Sequence, residues 1–176
     1  TPVPTTPVPT SQPSMLPTLS VPYGVQLSYD MVQPFQSWVE VYWATYADLT
    51  TSSEIQGSSY SQTDYPYMCV GAYSSSSAST ATVAACGLRS EILTSTSSQS
   101  TAYLRNGAYW YFYSPKSFGF APSSTISLNS ADTTNTNSGD CAYRLSWHLD
   151  QSSGGWRAGC TTSLNSNSVW SCLLYT

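Results

Sequence analysis

The residues able to do covalent or proton-transfer chemistry are few. His148 is the only histidine of the 176 residues and sits in RLSWHLD, Arg144–Asp150. Period-two alternation there sends Leu145, Trp147 and Leu149 to one face and Arg144, Ser146 and His148 to the other. A His/Asp/Ser triad would require His148 to meet both a carboxylate and an activated serine, and no nucleophile-elbow glycine pattern presents one. Paired carboxylates suited to glycoside hydrolysis can be drawn from Glu40, Asp30, Asp132 and Asp150, but their spacing is that of loop caps and surface groups. The five cysteines form no CxxC or Cys/His pair, so no metal set is indicated. No catalytic residue, cofactor site or metal site is expected.

The cysteines suggest disulfides instead, in a chain nearly free of lysine and suited to an oxidising compartment. Cys69 and Cys86 flank the Ser74–Thr82 loop and form one natural pair. If Asn165-Ser166-Asn167 is a turn, residues whose numbers sum to about 332 face one another, which makes Cys160 and Cys172 the second candidate pair. Cys141 is then left over.

Two materials make up the chain. Residues 1–22 carry TPVPT twice in succession, Thr1–Thr5 and Thr6–Thr10, followed by SQPSMLPTLSVP. Proline fixes φ and biases its predecessor to extended geometry, so this arm is expected to run as polyproline II. It is a spacer in the first instance. Ser/Thr-Pro tracts are also typical acceptors of O-linked sugars, which would fall on Thr1, Thr5, Thr6 and Thr10. Asn-x-Ser/Thr sequons are absent, since all six asparagines fail at the third position.

From Tyr23 onward, through residues 23–176, the period is two. GVQLSYDMV places Val25, Leu27, Tyr29 and Met31 on one face, and SWVEVYWATY alternates likewise. TAYLRNGAYWYFY reads as a hairpin, with Asn106-Gly107 as the two positive-φ positions of a tight turn. YRLSWHLD, GWRAGCTT and SVWSCLLYT continue the pattern. Short helical turns fit Tyr46–Glu54, where Thr51-Ser52-Ser53-Glu54 resembles a capping box, and Leu88–Ser98. The fold class expected is all-β, an antiparallel β-sandwich of jelly-roll or Ig-like form with about seven to ten strands.

Composition narrows the partners. Only 8% of residues are charged, against about 25% in an ordinary soluble domain. Nine acids and five bases give a net charge of −4 with no basic stripe, which excludes a nucleic-acid footprint. No apolar run approaches the ~20 residues of a membrane-spanning helix. Tyr109 to Tyr113 are consecutive aromatics, so both sheet faces carry rings. One set fills a core; the other stacks on sugars or covers a neighbouring subunit.

The stretches KSFGFAPSSTISLNSAD (Lys116–Asp132), YRLSWHLD, GGWRAG (Gly154–Gly159) and Ser163-Leu164-Asn165 resemble a repeated extracellular β-domain of large secreted proteins from microbial eukaryotes, strung on Pro/Ser/Thr linkers. Linker and domain together also resemble protomers of glycosylated extracellular fibrils, in which an N-terminal segment of one subunit completes the next subunit's sheet. The resemblance implies no activity. It implies a secreted structural subunit, assembled head to tail as a homo-oligomeric filament with covalent O-glycans; Val25, Leu27, Tyr29 and Met31 are the assembly residues if Gly24–Val32 adds to a neighbour's sheet, and otherwise Gly24–Val32 is the first strand of its own sandwich. A carbohydrate-binding module on a glycosylated linker is the alternative.

Overall fold

A computed structural model of the chain describes residues 21–30, 39–45, 48–57, 64–73, 80–98, 100–124, 141–150, 155–158 and 171–175, the last five and 155–157 by backbone alone. The fold is all-β, and the described residues form ten strands in two antiparallel five-stranded sheets. The strands are β1 (Gln26–Tyr29), β2 (Glu40–Thr45), β3 (Tyr67–Tyr73), β4 (Ala81–Leu88), β5 (Tyr103–Arg105), β6 (Ala108–Tyr113), β7 (Ser117–Ala121), β8 (Leu145–His148), β9 (Gly155–Ala158) and β10 (Ser171–Tyr175). The first sheet runs in the order β1-β4-β3-β10-β2 and the second in the order β5-β6-β7-β8-β9.

Alternation determines what each strand buries. Met68, Val70 and Ala72 of β3 and Val83 and Ala85 of β4 join Trp110 and Phe112 of β6, Phe118 and Phe120 of β7, and Leu145 and Trp147 of β8 in one continuous core. The rings form a ladder across the second sheet. Phe118 stacks on Trp147 at 5.5 Å between centroids, Trp110 tilts against Phe120 at 5.1 Å, and Phe112 meets Phe118 edge-on at 6.0 Å. Removing each such ring from water contributes on the order of 2–3 kcal/mol.

Two short helices close the core. In α1 (Ser52–Gln56) the expected capping box is present: Thr51 accepts from the Glu54 amide and the Glu54 carboxylate accepts from the Thr51 amide. The helix buries Ile55, while α2 (Arg89–Ile92) buries Ile92. The buried Arg89 guanidinium donates to the Gln56 and Gly57 carbonyls at 2.5 and 2.8 Å, placing a cation at the C-terminus of α1. Burial lowers its pKa from the ordinary arginine value. Asp150 accepts from the Ser52 amide at 3.0 Å, so this carboxylate is a loop cap, as its position suggested.

The second sheet brings β7 and β8 together with unusual closeness at Gly119. A Cβ there would collide with the Leu145 carbonyl oxygen and stand 2.6 Å from the Tyr111 hydroxyl. Tyr111 lies on the face opposite the core rings and donates to the Leu145 carbonyl at 3.5 Å. Glycine leaves the space this ring occupies.

Cys69 and Cys86 stand opposite one another on β3 and β4 and are disulfide-bonded, as their flanking of the loop implied. The register expected for the C-terminus is different from the one found. β9 pairs with β8 at the edge of the second sheet, whereas β10 lies inside the first sheet between β3 and β2, so β9 and β10 form no hairpin. The reason is backbone pairing: without β10, the facing edges of β2 and β3 would keep unpaired amides and carbonyls in mid-sheet. Cys141, in a 3-10 turn at Cys141–Tyr143, is itself disulfide-bonded and is not the leftover thiol. The expected Cys160–Cys172 pair lies outside the described residues, which include neither Cys160 nor the Cys172 side chain.

Two outcomes follow from this packing. Gly119→Ala is expected to destabilise the domain by about 1–3 kcal/mol, through overpacking against β8 and displacement of Tyr111, read as a lower denaturation midpoint. Replacing Cys69 and Cys86 together by alanine should cost about 3 kcal/mol, on the closure entropy of a loop with sequence separation 17. An unchanged midpoint in either variant contradicts the corresponding account.

Candidate assembly site

The residues expected to mediate assembly enter the domain beside the β5–β6 turn. Asn106 and Gly107 both have positive φ, 44° and 78°, as the Asn-Gly signature requires, and they join β5 to β6. The turn then does more than reverse the chain. The Asn106 side-chain amide donates to the Pro22 carbonyl at 2.7 Å and to the Cys86 carbonyl at 3.0 Å, using both its protons. The Asn106 carbonyl accepts from the Gly24 amide at 2.7 Å. Tyr23 lies over Gly107, where any Cβ would sit 2.6 Å from its ring. One asparagine thus ties the entering segment to β4 and to the turn at once.

Beyond this clamp, β1 pairs antiparallel with β4 of its own chain, Gln26 opposite Ala84, Leu27 opposite Val83 and Tyr29 opposite Ala81. β4 has β3 on its other side, so β1 is an edge strand.

The single assembly face expected from alternation is not what forms. Val25 packs on the main core, Leu27 is 41% exposed, and Tyr29 packs on a separate cluster. Ser28, at φ 52°, takes the left-handed conformation and breaks the period of two between Leu27 and Tyr29. Met31 lies outside the described residues, as do Thr1, Thr5, Thr6, Thr10 and Asp132.

That separate cluster was not legible in the sequence. It consists of Cys69, Tyr73, Ala81, Ala84 and Cys86, all buried around the disulfide, with Val21 and Tyr29 packed against it. Cys69 and Tyr73 alternate with the core residues Met68, Val70 and Ala72, so this patch occupies the opposite face of β3 and β4. Alanines beside a disulfide carry no amphipathic signature; only the register places them together.

Other candidate groups are dispersed. His148 stands opposite Ser117 and Gly155 on β8, half-buried; Glu40 is exposed on β2; Asp30 adjoins Tyr29. Among the described residues no three His, Cys, Asp or Glu side chains group as a metal site. No described helix is long and apolar enough to cross a membrane. The consecutive aromatics divide as alternation demands, with Trp110 and Phe112 in the core. On the other face Tyr111 is only 4% exposed and Tyr109 and Tyr113 are half-buried, so these rings present no open platform. No protein-family model, curated protein or solved structure matches the chain.

Burial pushes the Tyr29 phenol above its ordinary value of 10.0, and the neighbouring Asp30 carboxylate pushes it in the same direction. The neutral phenol is therefore favoured when β1 is docked. This contribution is complete below 10.0 and is lost as pH rises through the raised docked value, because the released phenol ionises first. Stability of the wild-type chain should fall more steeply across that interval than stability of Tyr29→Phe, measured by denaturant midpoints on both sides of 10.0. Parallel curves contradict a docked Tyr29.

Proposed function

We propose that this chain is a structural, non-catalytic subunit of an extracellular glycosylated filament, joined head to tail through its N-terminal segment. The observation that carries the reading is the separateness of that segment's seat. Val21 and Tyr29 occupy an apolar patch of their own on the far side of β3 and β4. The segment between them is held mainly by one edge ladder and the Asn106 clamp. Such an element detaches without dismantling the main core, apart from the contact of Val25. Detachment would leave a β4 edge and an apolar patch uncovered, which is the liability that strand addition by another copy removes. A donor on one copy and an acceptor on another give a heterologous contact that propagates into a fibre.

The rest of the reading is consistent with this. Residues of both sheets share one core, which supports a β-sandwich as the body of the subunit. The Cys69–Cys86 disulfide suits an oxidising, extracellular compartment. The arm, with O-linked sugars on Thr1, Thr5, Thr6 and Thr10, would hold successive bodies apart and supply the solubility that 8% charged residues do not. The carbohydrate-binding alternative would draw on the exposed rings of Tyr23 and Trp43, 75% and 44% exposed, and not on Tyr111, which is buried.

Electron microscopy of the protein purified from its source tests the reading: unbranched fibres are expected, and monodisperse particles at every concentration contradict it. Intact mass tests the arm. For a chain of these 176 residues a value above the bare 19.0 kDa is expected, and 19.0 kDa itself excludes the glycans.

A further inference from the structure

We propose that Asn106 is a modification site: deamidation at Asn106-Gly107, with water as the only co-reactant, irreversibly unlatches residues 22–24 from the hairpin turn of their own chain. The proposal does not depend on the filament reading. Of the six asparagines only Asn106 is followed by glycine; serine or threonine follows each of the others. That neighbour matters because the reaction begins with attack by the next residue's backbone nitrogen, and glycine places no side chain beside it.

The steps balance without a redox partner. The Gly107 nitrogen bonds to Cγ of Asn106, the Cγ–Nδ2 bond breaks, and Nδ2 leaves as ammonia carrying the former Gly107 amide proton. Water then opens the cyclic imide at either of its carbonyl carbons, and the Gly107 nitrogen regains a proton. One opening leaves aspartate in an ordinary backbone. The other routes the backbone through Cγ as isoaspartate.

The docked segment guards this chemistry. Both Nδ2 protons are engaged, by the Pro22 carbonyl at 2.7 Å and the Cys86 carbonyl at 3.0 Å, so Nδ2 cannot leave without giving up both bonds. The Gly24 amide holds the Asn106 carbonyl at 2.7 Å. Tyr23 lies against Gly107, its ring atoms 2.6 and 2.7 Å from where a Cβ would stand, and limits the movement by which the attacking nitrogen could approach. Docking therefore slows the reaction, and opening of residues 22–24 speeds it. The product cannot restore the latch. A carboxylate only accepts, and here it would face two carbonyls. Isoaspartate also lengthens a two-residue turn whose flanking pair is Arg105 opposite Ala108. Tyr23 is 75% exposed, so little else holds residues 22–24 once the Asn106 amide is gone.

The test has two arms, both on the full-length chain. In mildly alkaline buffer, aspartate and isoaspartate at position 106 are followed by peptide mapping. Conversion in the native protein should be roughly tenfold or more slower than in denaturant, because two hydrogen bonds hold the leaving group. Tyr23→Ala, which removes an exposed ring, should speed the native reaction several-fold. Equal native and denatured rates, or no acceleration in Tyr23→Ala, overturn the guarding role. In the second arm Asn106→Asp stands for the product. Hydrogen exchange at the Gly24 amide should rise roughly tenfold or more, while Val70 and Ala85, paired at the centre of β3 and β4, keep their wild-type protection. Unchanged exchange at Gly24 overturns the release. If Asn106→Asp loses its β-sheet spectrum, aged wild-type chain takes its place, separated from unreacted protein by its extra negative charge. That material folded before it reacted, and wild-type exchange at its Gly24 overturns the proposal equally.

Discussion

The aromatic ladder of Phe112, Phe118, Trp147, Trp110 and Phe120 is the interaction on which the other elements depend. With so few charges, the chain cannot organise itself through ion pairs, and burial of rings is the large favourable term. Three adjacent strands, β6, β7 and β8, carry the ladder, and each supplies rings at alternate positions. The first sheet covers them with smaller side chains, Val70, Ala72, Val83 and Ala85. Large rings on one sheet opposed by small residues on the other are a close-packed solution, since two ring-bearing faces would not approach to core distance. Ile55 and Ile92 then fix where the two short helices lie.

The small residues of the first sheet have a second effect. Because β3 and β4 are built largely from alanine, glycine and cysteine, both of their faces can be covered closely. One face meets the ladder. The other accommodates Val21 and Tyr29 around the disulfide. An entering segment thereby gains a seat distinct from the main core, and the Asn106 amide orients its backbone there. Covalent, polar and apolar terms meet within a few residues of one hairpin turn. The disulfide joins β3 and β4 at facing positions beneath this seat.

Much of this was readable in advance. Alternation in RLSWHLD correctly put Leu145, Trp147 and Leu149 together in the core, because residues two apart share one face of a strand; Ser146, on the other face, is buried as well. Asn106-Gly107 specified its hairpin, and Thr51 with Glu54 specified the start of α1, because both signals are local and need no tertiary partner. Cys69 and Cys86 could be paired because a short loop brings neighbouring strands together. Where the reading failed, the deciding contact was distant or the backbone left its regular geometry. The positive φ of Ser28 has no sequence signature, and it moved Tyr29 to another face.

The sequence by itself determined the all-β class, the face shared by Leu145, Trp147 and Leu149, the Asn106-Gly107 turn and one disulfide, since each follows from a periodicity or a short-range geometry carried by adjacent residues. Tertiary structure alone decided the order of strands. It placed β10 between β3 and β2 and away from β9, because only the assembled sheet creates the two unpaired edges that β10 satisfies. It likewise created the patch around Cys69–Cys86 and the triple role of Asn106, which exist only when residues distant in the chain come into hydrogen-bonding and van der Waals contact.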